Sequence, residues 1–121
     1  AKFKQDNLLA IVDWNGLQGG VRQEVMPSME PYGAKWETFG WHVIEVPGHD
    51  VAALLAAYHE ARQTKGKPTI IIADTVKGKG VSYMENNVEW HGGNVTTPLY
   101  EQAMSEINPR LEALSEYAGE E

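Results

Sequence analysis

The stretch "IVDWNGLQGG", Ile11 to Gly20, sets an aspartate and an asparagine two residues apart at the end of an apolar run. The side chains of Asp13 and Asn15 and the backbone carbonyl of Leu17 offer hard oxygen atoms, the ligands that Mg²⁺ and Ca²⁺ take. Gly16 lets the chain turn sharply between the two donors. Asp and Asn also make ordinary turns with no ligand at all. Spacing by itself leaves both readings open.

A second constellation lies in "TVKGKGVSYMENNVEWHGG", Thr75 to Gly93. Lys77, Gly78, Lys79 and Gly80 put two cations on a glycine-rich backbone after a strand end, where they can meet a phosphate. The GxxxxGK[ST] spacing is absent, so this is no P-loop. His91 follows, between Trp90 and Gly92, able to donate to a phosphate or to move a proton. The competing reading is a surface loop that happens to hold a histidine.

The remaining candidates read as structure. Asp50, after His49, suits a helix N-cap better than a catalytic acid. His42 sits in a strand pattern and is structural. Trp36, Phe39 and Trp41 form an aromatic cluster explained by core packing. Glu24 and Glu85 have no partner that spacing identifies. Neither a Ser/His/Asp arrangement nor an HExxH pattern is present.

These residues need elements to place them. Leu8–Asp13 reads as a strand buried on both faces, because its apolar run is almost unbroken. Gly16, Gly19 and Gly20 make residues 14–24 a loop. Pro31 opens a short helix through Phe39, stopped at Gly40. Trp41–Val46 is a second strand. Asp50 caps a helix with apolar positions Val51, Leu54, Leu55 and Tyr58, ending near Lys65–Gly66. Thr69–Asp74 is a third strand around the β-branched "TIII". A long loop, Thr75–Thr96, leads to a helix begun by Thr97 and Pro98, with Tyr100, Ala103, Met104 and Ile107 on one face. The tail "NPRLEALSEYAGEE" suggests a further short helix. Strands alternating with helices point to an α/β fold with a parallel sheet. Three strands are few, so the pattern reads as half of a doubly wound domain.

Bulk properties narrow the classes. The chain has 121 residues, 42% of them hydrophobic, which suits one soluble domain. A net charge of −7 argues against nucleic acid or an anionic membrane as partner. With no cysteine, disulfides and thiolate metal sites are excluded. No apolar run approaches the roughly 20 residues of a membrane span. The start "AKFKQDNLLA" lacks a signal-peptide pattern, so the cytoplasm is the expected compartment.

Four segments in order, "NLLAIVDWNGLQ", "KWETFGWHVIEVPGHD", "GKPTIIIADTVKGKG" and "VSYMENNVEWHGG", strongly resemble the thiamine-diphosphate-binding half of transketolases, above all the N-terminal subunit of the split-gene type. The resemblance covers residues 6–107. It implies a doubly wound, mostly parallel-sheet fold present in part. Residues 1–121 would be the second half of the diphosphate-binding domain, with 108–121 a C-terminal tail. By the same resemblance, Asn15 is a Mg²⁺ or Ca²⁺ ligand through its side chain and Leu17 through its carbonyl. Asn15, Gly16, Leu17 and His91 bind the cofactor, and His91 is the catalytic histidine. The Lys77–Gly80 loop shapes the cofactor and substrate channel. The implied reaction moves a two-carbon ketol unit from a ketose phosphate to an aldose phosphate.

Some of the family pattern is missing. There is no Gly-Asp-Gly half of the metal motif, no upstream half of the domain and no pyrimidine-binding domain. After "NGLQ" the family carries two more residues, typically Ile-Asp; here Gln18 runs straight into Gly19. The chain is therefore expected to work in an oligomer with transketolase chains or domains that supply the missing parts, and to be inactive in isolation. The alternatives are a related thiamine enzyme, such as a deoxyxylulose-phosphate synthase, and a non-catalytic interaction domain of the same fold.

Overall fold

The computed structural model describes residues 1–18, 21–22 and 29–118, with the side chains of residues 21–22 and 115–118 excepted. The chain divides into two units, Ala1–Thr75 and Val76–Glu121.

The first unit is built around a three-stranded parallel sheet. β1 (Leu9–Trp14), β4 (His42–Pro47) and β5 (Thr69–Asp74) lie in the order β1-β5-β4. The "TIII" strand takes the centre because β-branched residues fill a surface packed on both faces. Ile70 and Ile71 are fully buried, and Ile72 and Ala73 nearly so. Register aligns Trp14 with Asp74 and Asp74 with Pro47, so all three strands end level.

Two helices flank β4. α1 (Tyr32–Thr38) follows Pro31, whose fixed φ suits a helix start. It closes with Gly40 at φ +84°, where Gly40 N–H donates to Glu37 O and Trp41 N–H to Trp36 O. Both bonds belong to a left-handed glycine cap. α2 (Val51–Gln63) is capped as expected: Asp50 Oδ1 accepts the Ala53 N–H at 3.0 Å. His42 is structural, its Nε2 lying 2.6 Å from Glu60 Oε1 of α2.

Several expectations are corrected. β1 is not buried on both faces: among the described residues it is an edge strand paired only with β5, and Ile11 is 50% exposed. Residues 14–24 are not all loop, for β2 (Leu17–Gln18) pairs antiparallel with β3 (Val21–Arg22). Paired strands separated by a Gly-Gly dipeptide are a hairpin signal; Gly19 and Gly20 themselves, like Glu24, lie outside the described residues. α2 buries Ala57 and Ala61 and leaves Val51, Leu55 and Tyr58 exposed. Small alanines let a helix lie close on a sheet, which large side chains would prevent. Phe39 is exposed, so the aromatic cluster is instead Trp14, Tyr32, Trp36 and Trp41.

The second unit carries a 3₁₀ turn, Val88–His91, and α3 (Thr97–Ala118). The expected separate helix from Asn108 does not exist. α3 runs on through Pro109, a residue type that usually ends a helix. Ala103 of the expected apolar face is buried, Met104 and Ile107 are half-buried, and Tyr100 is exposed. Among the described residues, no helix is long and apolar enough to cross a membrane.

Candidate functional site

Asn15, Gly16 and Leu17 follow directly on Trp14, beyond the carboxyl end of β1. That is the edge at which open parallel sheets receive ligands. Gly16 has φ +75°, a left-handed conformation that favours glycine. The turn brings the Leu17 N–H to Asn15 Oδ1 at 2.9 Å. This Asx turn fixes the orientation of the half-buried amide, and the oxygen keeps a second lone pair. The turn borders a cavity of about 230 Å³ lined by residues that include Asp13, Asn15, Leu17, Met29 and Tyr32.

Asp13 plays a different part. Its Oδ1 accepts the Thr75 hydroxyl, while Thr75 N–H donates to Trp14 O at 3.3 Å. The carboxylate therefore ties β1 to the residue after β5. Trp14 stacks on Tyr32 with ring centroids 4.5 Å apart, and Tyr32 meets Trp36 edge-on at 6.2 Å. The Trp14–Tyr32 pair also walls a larger crevice of about 440 Å³, with Glu30, Glu45 and Asp74 on its rim. Among the described residues, no group of three or more His, Asp or Glu side chains is placed to hold a metal.

In the second unit the "KGKG" loop is folded on itself. Asn86 N–H donates to Lys77 O at 3.0 Å, closing a ring over residues 77–86. Inside the ring, Val81 N–H bonds Gly78 O at 3.2 Å and Met84 N–H bonds Val81 O at 2.9 Å. Gly78 at φ +72° and Gly80 at φ +103° supply conformations that side chains disfavour. A Cβ on Gly78 would also run into the Met84 carbonyl.

Carboxylates secure this ring, and sequence reasoning missed them. Glu85 Oε1 accepts the Gly80 N–H at 3.0 Å and lies 3.6 Å from Lys79 Nζ. Glu106 of α3 takes the Ser82 N–H on one oxygen and the Ser82 hydroxyl on the other, both at 2.6 Å. Arg110, one turn further along α3, donates to Gly80 O at 3.3 Å. Both carboxyls are held below their ordinary range. For Glu85 the main cause is the Gly80 N–H, outweighing desolvation and joined by the Lys79 charge. For Glu106 it is the Ser82 hydroxyl, then the Ser82 N–H. A carboxylate five residues after a glycine loop is a weak local signal; a partner 24 residues away leaves none.

His91 ends the 3₁₀ turn and is exposed. Asn87 caps that turn, accepting the Glu89 N–H at 3.1 Å. The neighbouring Trp90 packs on Tyr83 with centroids 5.0 Å apart, and Tyr83 OH donates to Leu99 O at 2.8 Å. Structure thus brings Asn15, Gly16 and Leu17 onto one turn of the first unit and sets His91 on an anchored turn of the second.

The family model "Transketolase, thiamine diphosphate binding domain" matches residues 1–111. The chain belongs to the transketolase family. It is 42% identical over 114 residues to one of the subunits of the apulose-4-phosphate transketolase of Phocaeicola vulgatus, covering 93% of this chain and 40% of that protein. It is 37% identical over 103 residues to the 6-deoxy-6-sulfo-D-fructose transketolase subunit SqwG of a Clostridium species, covering 84% and 37%. Among solved structures, the transketolase of Campylobacter jejuni superimposes with a TM-score of 0.77 at 26% identity, over 86% of this chain and 16% of that one. The chain spans less than half the length of these transketolase relatives. The α/β fold with a parallel sheet is that of the transketolase diphosphate-binding domain, present in part.

Proposed function

We propose that this chain is a component of a transketolase that transfers a two-carbon ketol unit from a ketose phosphate to an aldose phosphate with thiamine diphosphate and Mg²⁺ or Ca²⁺. The observation that carries the reading is the Asn15–Leu17 turn, which offers an oriented amide oxygen and a nearby carbonyl beyond the carboxyl end of β1 in a chain of this family. These donors fit a hard dication in kind. They are two of the roughly six oxygens such an ion takes, and both are neutral, so the other donors come from elsewhere in the assembly or from the diphosphate.

When bound, thiamine diphosphate supplies the electron sink for breaking and making the carbon–carbon bond. The chain's own residues supply part of the remaining site. Asn15 and Leu17 hold the metal, and Gly16 permits the turn between them. On the loop, Lys79 is paired with Glu85, whereas Lys77 makes no ion pair with a carboxylate among the described residues. Lys77 is therefore the loop cation that meets phosphate oxygen. His91 donates a hydrogen bond to developing oxygen charge or moves a proton at the reacting hydroxyl.

Other chains or domains supply the Gly-Asp-Gly motif and the pyrimidine-binding domain, in a cytoplasmic oligomer. Two relatives bear the names of split subunits. The Pichia stipitis transketolase, 27% identical with a TM-score of 0.73, is described in complex with sedoheptulose 7-phosphate, a substrate class that this reading adopts.

The test uses the chain in its native assembly with thiamine diphosphate, Mg²⁺ and a ketose phosphate plus aldose phosphate pair. Two-carbon transfer, abolished together with metal-dependent cofactor binding in Asn15→Ala, is the expected result. Cofactor binding unchanged by Asn15→Ala would overturn the assignment and favour a non-catalytic interaction domain.

A further inference from the structure

We propose that Glu85 and Glu106 are positioning residues that preform the Lys77–Ser82 loop for an anionic ligand. They do so by holding the Gly80 and Ser82 amides on carboxylate oxygens. This rests on the reading of the loop as phosphate-facing given above.

Three observations carry the inference. First, the ring over residues 77–86 uses left-handed backbone at Gly78, Gly80 and Asn86 (φ +72°, +103° and +53°). Left-handed residues are accessible but not self-stabilising, so something must select this one shape. Second, the selection comes from charge-assisted bonds at consecutive points. Gly80 is gripped on both sides, its N–H by Glu85 at 3.0 Å and its carbonyl by Arg110 at 3.3 Å. Ser82 gives both of its donors to Glu106 at 2.6 Å. Hydrogen bonds to an ionised acceptor are about twice as strong as neutral ones.

Third, Glu85 also takes up Lys79. One carboxylate thereby shapes the backbone and pairs with one of the two loop lysines. An anion arriving at the loop then meets Lys77, which has no carboxylate partner among the described residues, in a place already set. Preorganisation of this kind raises affinity by removing an ordering cost at the moment of binding. Neither carboxylate touches the ligand in this account; both act through the backbone and through Lys79.

The experiment compares Glu85→Ala, Glu106→Ala and Glu106→Gln with the unaltered chain, all in the native assembly. Amide hydrogen exchange without cofactor is read at Gly80, Ser82 and, as a folding control, Ile71. Thiamine diphosphate affinity and kcat at saturating cofactor are read alongside. Expected are Gly80 exchange at least about tenfold faster in Glu85→Ala and Ser82 exchange equally faster in Glu106→Ala, with Ile71 unchanged. Cofactor affinity falls about tenfold in both, while kcat at saturation moves far less. Glu106→Gln, which keeps an acceptor for the Ser82 N–H, recovers most of the loss. Unchanged exchange, or loosened loops with unchanged affinity in an assembly that binds cofactor, would overturn this inference alone. Failure of the unaltered assembly to bind thiamine diphosphate would overturn the functional reading and this inference with it.

Discussion

Asn15 Oδ1 accepts the Leu17 N–H at 2.9 Å, so the two residues whose oxygens are assigned to a divalent ion are bonded to each other. The bond decides which end of the amide faces the turn. Replacing Asn15 by Ala removes both the donor oxygen and the restraint on the turn. Isothermal titration of the assembly with thiamine diphosphate and Mg²⁺ is expected to show affinity weakened by at least about tenfold, with metal dependence lost. Asn15→Asp, which keeps an oxygen in place and adds charge, retains metal dependence.

Gly78 is the tightest point of the loop. Its φ is +72°, and a Cβ there would collide with the Met84 carbonyl. The obstacle is backbone within a closed ring and cannot rotate aside. Gly78→Ala is therefore expected to open the ring between Lys77 and Asn86, with faster exchange at the Asn86 amide and loss of activity in the assembly. An Asn86 amide as protected as before would refute the closed ring.

Acid should loosen the same loop. Glu85 and Glu106 are held below the ordinary carboxylate range, mainly by the Gly80 N–H and the Ser82 hydroxyl, with Lys79, Gln102 and Arg110 contributing. A carboxyl with a folded-state pKa below its unfolded value stabilises the fold at pH above the unfolded value. That contribution is lost as pH falls through the lowered, folded value. Nuclear magnetic resonance shifts of the Gly80 and Ser82 amides should stay constant through neutral pH and move only below the ordinary carboxylate range. Movement at the ordinary carboxylate pKa would show that the carboxyls are unperturbed.

The central strand should dominate stability. Ile71 is fully buried, with β1 on one side and β4 on the other. Ile71→Ala is expected to cost about 2–5 kcal/mol in urea denaturation. Ile11→Ala, on the edge strand at 50% exposure, should cost well under half as much. Equal costs would contradict the edge position of β1.

Activity should need more than this chain. Among the described residues no cluster of acidic or histidine side chains can hold a metal, and the donors assigned here are two neutral oxygens. A coupled transketolase assay of the isolated chain with cofactor and Mg²⁺ is expected to stay at background. Turnover above it would show that this chain alone completes the site.

Much of the first unit was legible from residue order. "TIIIAD" bounded by Pro68 and Asp50 before a helical run are local signals, and the structure places Thr69–Asp74 and the Asp50 cap where those signals put them. Burial was less legible. β1 and β5 are both apolar runs, and their patterns do not say which has two neighbours. The apolar residues of α2 likewise gave no sign that Ala57 and Ala61 would be its most buried residues while Leu55 stays exposed.

By itself, then, the sequence determined the α/β alternation, the helix caps, the "NGLQ" turn and the order of segments that marks a transketolase-family chain. Each is written in neighbouring residues, where backbone preference and short-range hydrogen bonds act. Only the tertiary structure decided which strand lies at the centre, that Asp13 binds Thr75 instead of standing free, and that Glu106 reaches back to Ser82. Those are contacts between residues far apart in the chain, and their energy exists only once folding has brought the partners within hydrogen-bonding distance.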